Sequence, residues 1–372
     1  MPKGGSLAIS PVVDVEGKRL SLSNLDKVLY PATGFTKGQV IDFYARIAPA
    51  LLPHLKGRPV TMKRYPNGVD AEFFYEKNAP KHRPEWVRTS PIWSRHNRRH
   101  INYLLVDDLP TLIWLANLAS LEIHPSLAFG QDYDCPTMMV FDLDPGAPAN
   151  IVQCCQVGLW LREMFEHWGL ETFPKTSGSK GLQVYVPLNT PTSYDITKTF
   201  ANAMARLLEH DHPELVVSDM KKSIRNGKVL VDWSQNDEHK TTVSVYSLRA
   251  REHETVSTPV TWDEVERTFK KKDATVLVFE APEVIKRFEK MGDLHAPVLE
   301  LKQKLPDVRA AAAAPRPGTA ELAAQADEAP AEEQRGTTKS EGRRIRKAAA
   351  TPRMSAAAKK SVKTAVKKRR AV

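Results

Sequence analysis

Cysteine is scarce in this sequence, with three residues in 372: Cys135 and the adjacent Cys154 and Cys155. This spacing offers neither a disulfide framework nor paired CxxC metal ligands, which excludes a disulfide-stabilised secreted scaffold and a cysteine-based zinc site. No apolar run approaches the roughly 18 residues that cross a bilayer, and the N-terminal residues MPKGGSLAIS lack the apolar stretch of a secretory signal. We therefore expect a cytoplasmic protein without a membrane partner.

The excess of basic residues is confined to the C-terminal segment 308–372. That segment holds 16 of the 54 Lys and Arg residues and 6 of the 44 Asp and Glu residues, so residues 1–307 carry 38 of each and the segment carries the whole net charge of +10. It is rich in Ala, Pro and Lys and has no aromatic residue, so it cannot bury enough apolar surface to offset the entropy of ordering. We predict a disordered tail that binds nucleic acid, because basic tails release counterions from polyanions. The alternative is a solubilising tail without a dedicated partner.

Residues 1–307 alternate strand-like and helix-like segments, which is typical of an α/β or α+β domain. Apolar residues at helical spacing follow Thr36, a predicted N-cap, as far as Leu55. A second amphipathic helix in NIVQCCQVGLWLREMFEHWG is predicted to end at Gly169, and a third lies in TKTFANAMARLLEHD. The predicted strands include RPVTMKRYP, MMVFDLD, GLQVYVPL and GKVLVDW. We therefore predict one folded domain over 1–307, followed by the tail.

Two carboxylates follow an apolar run in VFDLD, at Asp142 and Asp144. Residues two apart on a strand project from the same face, so these side chains point the same way. Asp232 closes another apolar run, KVLVD, in the same strand-end context. Three carboxylates that converge from neighbouring strands suit Mg²⁺ or Mn²⁺, because these hard ions prefer oxygen ligands and often bind substrate phosphates. A DxD pair alone is also common in turns and structural sites, so the hypothesis depends on Asp232 lying beside it.

The stretch KTSGSKGLQVYVPL favours contact with an anion. Its small residues, followed by Lys180 and Gly181, allow backbone N–H groups and an ammonium to approach a phosphate closely. A Walker A loop is excluded, because GxxxxGK[ST] is absent. Downstream, Gln235, Arg249 and Arg251 add groups that suit a triphosphate. The alternative is an ordinary turn between a helix and a strand, with solvated charges nearby.

These stretches occur together with LSNLDKVLYPATGFTKGQV, GRPVTMKRYPNGVD, FFYEKNAP and LANLASLEIHP, and the combination is specific. From about Leu20 to Leu305 the sequence resembles the polymerase domain of bacterial ligase D, of the archaeo-eukaryotic primase superfamily used in Ku-dependent end joining. The resemblance implies an α/β fold with central β-sheets flanked by helices. It also implies a DNA-directed polymerase or primase that uses nucleoside triphosphates and two Mn²⁺ or Mg²⁺ ions to extend a primer 3′-hydroxyl. Its partners would be DNA ends, gaps or breaks with a 5′-phosphate, Ku and a separate ATP-dependent DNA ligase, at the bacterial nucleoid.

The resemblance also assigns roles to individual positions. The catalytic and metal-binding carboxylates would be Asp142, Asp144 and Asp232. The incoming nucleotide would be held by Lys63, Ser177, Lys180, Gly181, Gln183, Gln235 and Arg249. The 5′-phosphate of DNA would bind Asn24, Lys27 and Lys37. Template and primer would contact Phe74, Tyr75, His124 and Arg225, and stacking on such aromatic rings is worth about 1–3 kcal/mol per base.

Gln183 departs from the family's pattern, in which the nucleotide motif usually ends in His. A neutral amide can still donate a hydrogen bond but brings no charge. The sequence also lacks the KxDG motif of a ligase nucleophile, because it contains no Asp-Gly pair. We therefore expect a stand-alone polymerase, without a ligase active site, that acts with a separate ligase.

Two alternatives belong to other classes of protein. A haloacid-dehalogenase-type phosphatase begins with an apolar strand and DxDx[TV], but Pro145 and Gly146 stand where that motif continues. A catalytically weak DNA-end-binding protein that keeps the polymerase fold is consistent with the basic tail and with Gln183. A pure binder, however, gains nothing from three carboxylates beside a phosphate.

Overall fold

The computed structural model describes residues 11–94 and 97–307. The predicted tail lies outside the described residues, so its extent and its disorder stay predictions. The helices in this part of the chain are α1 (Lys37–Leu55), α2 (Leu109–Asn117), α3 (Ile151–His167), α4 (Tyr194–Asp211), α5 (Trp262–Lys271), α6 (Ala281–Met291) and α7 (Pro297–Glu300). One-turn 3₁₀ helices occupy Lys222–Ile224, Trp233–Gln235 and Ala274–Leu277.

The strands of the described residues form two larger sheets and several short hairpins. They are β1 (Val12–Val15), β2 (Lys18–Ser21), β3 (Val28–Tyr30), β4 (Phe35–Thr36), β5 (Pro59–Arg64), β6 (Phe74–Glu76), β7 (Thr89–Ser94), β8 (Arg99–Leu105), β9 (Ser120–Pro125), β10 (Ala128–Phe129), β11 (Asp132–Pro136), β12 (Met138–Pro145), β13 (Phe173–Thr176), β14 (Leu182–Pro187), β15 (Val216–Val217) and β16 (Val229–Asp232). The N-terminal sheet has the order β6-β5-β8-β7, with β9 also paired to β5. The C-terminal sheet has the order β13-β14-β12-β16-β15, and its pairs are antiparallel except β15 with β16. The predicted mixture of helices and sheets is confirmed.

Helix α1 begins at the predicted N-cap. The side chain of Thr36 accepts a hydrogen bond from the Gln39 N–H, and the Gln39 side chain accepts one from the Thr36 N–H, which together form a capping box. Buried residues of this helix, such as Tyr44 and Leu51, join the apolar core beneath the N-terminal sheet. The second predicted helix is α3, and it ends just before Gly169, whose φ of +68° suits glycine.

The two faces of β12 have opposite character. Met139, Phe141 and Leu143 pack into the core that α3 and α4 form with the C-terminal sheet. Because successive side chains of a strand alternate between faces, Asp142 and Asp144 project from the other side. The carboxylates can therefore follow buried apolar residues without entering that core.

Candidate active site

The three predicted carboxylates lie on neighbouring strands of the C-terminal sheet. Asp142 on β12 pairs directly with Asp232 on β16, and Asp144 lies two residues further along β12. The structure therefore brings Asp232 beside the DxD pair. Burial raises the pKa of Asp142 to about 6, with a further rise from the negative charges of Asp232 and Asp144 that a hydrogen bond from Gln183 partly opposes.

The carboxylates also contact other protein groups. Asp232 accepts a hydrogen bond of 2.8 Å from the Gln235 amide, and Arg225 lies 3.6 Å from Asp144. In residues 11–94 and 97–307, no group of three or more His, Cys, Asp or Glu side chains is arranged to hold a metal ion. The donor set still fits a hard divalent cation, because adjacent carboxylates supply oxygen ligands and a cation would relieve their mutual repulsion.

A row of polar side chains crosses four strands of the C-terminal sheet through directly paired residues: Lys175, Gln183, Asp142 and Asp232. Sequence reasoning did not single out Lys175, although it belongs to the KTSGSKG stretch. Its ammonium is fully buried and donates to the Ser257 hydroxyl at 2.6 Å. Burial lowers the pKa of Lys175 well below its usual range.

Gln183 occupies the centre of this row and is 2% exposed. Its Nε2 lies 3.4 Å from the Thr242 hydroxyl, and its Oε1 has no hydrogen-bond partner in the described part of the chain. A buried acceptor without a partner is costly, so this amide is suited to meet a ligand donor or to turn. Sequence reasoning placed Gln183 at the nucleotide, and the structure places it on the wall of the cleft described below.

The predicted anion-binding stretch forms a tight loop between β13 and β14. The Ser177 hydroxyl accepts hydrogen bonds from the backbone N–H groups of Ser179 and Gly181, at 3.2 and 3.1 Å. Any Cβ at Gly181 would overlap the Leu143 carbonyl oxygen, which explains the glycine. Arg249 donates to the Ser177 carbonyl, so the loop and a guanidinium are held together.

Across from the carboxylates, the N-terminal sheet contributes a cluster of charged groups. Lys63 on β5 pairs with Glu122 on β9, and His124 lies two residues beyond Glu122 on the same strand face. Glu122 is 3.5 Å from both Lys63 and Arg249 and 3.0 Å from His124. Burial alone would raise the pKa of Glu122, but the hydrogen bond from His124 and the charges of Arg249 and Lys63 hold it well below its usual range. Sequence reasoning missed Glu122, because it is a single acid in the strand LEIHP.

The two sheets enclose a cleft of about 500 Å³, within the range of small-ligand sites. Ten of the predicted site residues line it: Tyr75, His124, Asp142, Asp144, Ser177, Lys180, Gly181, Gln183, Gln235 and Arg249. Arg251 also lines it, together with side chains that were not assigned roles, namely Thr61, Lys77, His239, Lys240 and Thr242. Lys63, Asp232 and Arg225 do not line the cleft, but each pairs with or contacts a residue that does, namely Tyr75, Asp142 and Asp144 respectively.

The aromatic residues of β6 lie at the surface. Phe74 and Tyr75 are 43% and 58% exposed, and the preceding Phe73, which was not predicted, is 49% exposed. The Lys63 ammonium is 4.2 Å from the centre of the Phe73 ring, and the Arg64 guanidinium is 5.0 Å from that of Phe74. Exposed rings beside cations suit stacking against bases.

Asn24, Lys27 and Lys37 form a second group of predicted residues, outside the lining of the cleft. The Lys27 N–H donates to the Asn24 carbonyl at 3.1 Å, and the Lys37 N–H donates to the Lys27 carbonyl at 2.8 Å. Burial, followed by the charges of Lys27 and Arg64, lowers the pKa of Lys37 to about 8. The Lys27 ammonium donates to the Asn67 amide and the Lys37 ammonium to the Ser23 carbonyl, both neutral groups, so a phosphate could add the opposite charge that these contacts do not supply.

Comparison with known proteins decides the family. The family model described as "LigD, primase-polymerase domain" matches residues 36–295. The chain belongs to this family. As a member of this family, the chain is a nucleotidyltransferase with the primase-polymerase fold; we call it the LigD-type chain below.

Relatives of this LigD-type chain include longer proteins. It is 44% identical over 283 residues to the multifunctional non-homologous end joining protein LigD of Mycolicibacterium smegmatis, covering 76% of this chain and 36% of that protein. It is 32% identical over 275 residues to the bifunctional non-homologous end joining protein LigD of Bacillus subtilis, covering 74% and 43%. The chain therefore spans less than half the length of these relatives.

A solved structure extends the likeness to three dimensions. The polymerase domain of Mycobacterium tuberculosis ligase D, in complex with DNA, matches with a TM-score of 0.70 and 40% identity, over 77% of this chain and 99% of that one. The predicted fold class is thereby confirmed. None of the helices in the described ranges is long and apolar enough to span a membrane.

Proposed function

We propose that this LigD-type domain adds nucleotides to a primer 3′-hydroxyl at DNA ends, gaps or breaks, and recognises a downstream 5′-phosphate. The observation that carries the proposal is the cleft, where paired carboxylates on one sheet face phosphate-binding side chains within a chain of this family. The reaction is attack of the primer 3′-oxygen on the α-phosphorus of a nucleoside triphosphate, with pyrophosphate as the leaving group.

The triphosphate is held by the loop after β13 and by cations around it. The backbone and hydroxyl of Ser177 order the loop, and Lys180 and Arg249 bring positive charge to the cleft. Lys240 and Arg251 line the same space and add charge for the outer phosphates. Fixing the nucleotide in this way holds its α-phosphorus in a constant position, which lowers the entropic part of the barrier.

Asp142, Asp144 and Asp232 are proposed to hold Mn²⁺ or Mg²⁺. A bound pair of such ions would activate the attacking oxygen and neutralise charge on the leaving phosphates. The chain's own contribution is to keep three carboxylates adjacent on β12 and β16. Gln235, whose amide donates to Asp232 at 2.8 Å, also lines the cleft, so its side chain lies where it could meet the nucleotide.

DNA is proposed to contact two further surfaces. Phe74 and Tyr75 offer rings to template bases, with His124 and Arg225 at the primer and template side of the cleft. The group of Asn24, Lys27 and Lys37 receives the 5′-phosphate of the downstream strand, because it joins cations with an amide outside the cleft lining.

The cellular setting follows from the relatives and is likewise proposed. Their names describe non-homologous end joining, and this chain spans less than half of them. We infer that it acts with Ku and an ATP-dependent DNA ligase at the nucleoid. Family membership leaves the phosphatase alternative without support.

Primer extension tests this function. Wild-type protein is given 5′-phosphorylated gapped DNA, Mn²⁺ or Mg²⁺, and ribo- or deoxynucleotides; extension is expected with at least one combination. Asp142→Asn is expected to abolish extension, whereas Asp134→Asn, at an exposed carboxylate on β11, is expected to leave it unchanged. DNA binding without extension under all conditions would instead support the end-binding alternative, and hydrolysis of p-nitrophenyl phosphate without DNA would support a phosphatase.

A further inference from the structure

Glu122 is a buried acid that touches several cations of the cleft but does not line the cleft itself. It is 2% exposed. One carboxylate oxygen lies 3.5 Å from the Lys63 ammonium, 3.5 Å from Arg249 Nε and 3.2 Å from the Ala250 N–H, and the other lies 3.0 Å from His124 Nε2. One side chain therefore connects both sheet-borne and loop-borne groups of the nucleotide site.

The backbone around Glu122 is fixed from both sides. The neighbouring Ile123 N–H donates to the Ser247 hydroxyl at 3.0 Å, and the Tyr44 hydroxyl donates to the Leu121 carbonyl at 2.6 Å. Segment 244–250 runs along β9 through hydrogen bonds of Ser244 and Ser247 with Ile123, and its Ala250 N–H donates to the Glu122 carboxylate. The carboxylate has little freedom to move, so it can define where its partners lie.

An anion among cations is a poor device for attracting a triphosphate, because it cancels part of the positive charge. Glu122 must therefore act by holding its cationic partners in position, not by attracting the nucleotide. Arg249 Nε forms an ion pair with Glu122 at 3.5 Å without a hydrogen bond, and Nη1 donates to the Ser177 carbonyl, so the guanidinium is held by one ion pair and one hydrogen bond. The Nη2 group of Arg249 has no hydrogen-bond partner among the contacts described for this chain, and it remains for a phosphate.

We propose that Glu122 is a positioning residue for nucleotide binding, which fixes Arg249 from behind so that its guanidinium meets the nucleotide in one orientation. The proposal deepens the polymerase function proposed above and rests on it. It predicts the sign of an effect: removing the negative charge weakens triphosphate binding, although the cleft becomes more positive.

The test is Glu122→Gln, which keeps the shape but places amide N–H groups against other donors. In primer extension, the nucleotide KM is expected to rise by about tenfold to a hundredfold, the range for lost hydrogen bonds to charged groups, with a smaller change in kcat. The matched control is Glu264→Gln, at a partly buried carboxylate 2.7 Å from Arg287 that does not line the cleft; the KM of this variant is expected to stay at the wild-type value.

Arg249→Gln and the double variant Glu122→Gln/Arg249→Gln complete a double-mutant cycle. The nucleotide KM of the double variant is expected to be no higher than that of Arg249→Gln alone.

The possible results distinguish failure of the positioning role from failure of the polymerase function. A KM that is unchanged or lower in Glu122→Gln overturns the positioning role, as does full additivity in the cycle. Absence of extension by the wild-type protein overturns the polymerase function itself. If Glu122→Gln melts far below the wild type, Glu122→Asp replaces it: the charge is kept, the reach is shortened by one methylene, and a raised KM is again expected, whereas a wild-type KM overturns the proposal.

Discussion

The charge of Lys37 changes within an accessible pH range, which makes the proposed 5′-phosphate site testable by pH alone. Lys37 is 5% exposed, its ammonium donates to the Ser23 carbonyl at 2.6 Å, and burial together with Lys27 and Arg64 lowers its pKa to about 8. Such a lysine is about nine-tenths charged at pH 7 and about one-tenth charged at pH 9. A 5′-phosphate, with a second pKa near 6, stays a dianion over this range.

The sign and size of the effect follow from linkage. A bound dianion stabilises the charged ammonium and raises the pKa of Lys37 in the complex, so phosphate binding is strongest below pH 8 and weakens as the pH rises through 8. If the complex restores a pKa above about 10, the affinity added by the phosphate falls about tenfold from pH 7 to 9, or about 1.4 kcal/mol. A lysine at its ordinary value of 10.5 would lose almost nothing over the same range.

The measurement is the ratio of affinities for gapped DNA with and without the 5′-phosphate, by fluorescence anisotropy at pH 7, 8 and 9 and constant ionic strength. The DNA without phosphate cancels every other effect of pH on binding. Lys37→Arg serves as the control variant, because a guanidinium stays charged at pH 9 and its ratio is expected to stay constant. A constant ratio in the native protein, or an equal fall in Lys37→Arg, would refute the assignment.

Three further predictions concern the cleft and the tail. Asp142→Ala, Asp144→Ala and Asp232→Ala are each expected to abolish primer extension with little change in melting temperature, because the proposed metal site uses all three carboxylates; near-wild-type extension by the Asp232 variant would contradict this. Gln183→Ala is expected to raise the nucleotide KM in primer extension, with a free-energy cost of about 1.5–3 kcal/mol, because it removes a buried amide from the cleft wall. A KM equal to that of the wild type would show that the amide does not reach the nucleotide. Removing 308–372 is expected to weaken DNA binding most at low salt, and an unchanged salt slope would speak against a role in binding.

Local patterns in the sequence determined much of the fold. The apolar spacing after Thr36 and its capping box specify where α1 begins, because both depend on residues within one turn. The two-residue period of a strand specifies that Asp142 and Asp144 share a face. The combination of motifs was enough to indicate the family that residues 36–295 match.

Tertiary structure alone decided how these parts form a site. The pairing of Asp142 with Asp232 and the position of Lys175 in the same row depend on sheet register, which joins segments far apart in the chain. The role proposed for Glu122 could not be predicted from its sequence context, which is one acid in an apolar strand. It depends on contacts that form only where β9, β5 and segment 244–250 meet. The raised pKa of Asp142 and the lowered pKa of Lys37 likewise arise from burial and from neighbouring charges, which a local pattern does not specify because they depend on which distant segments pack together.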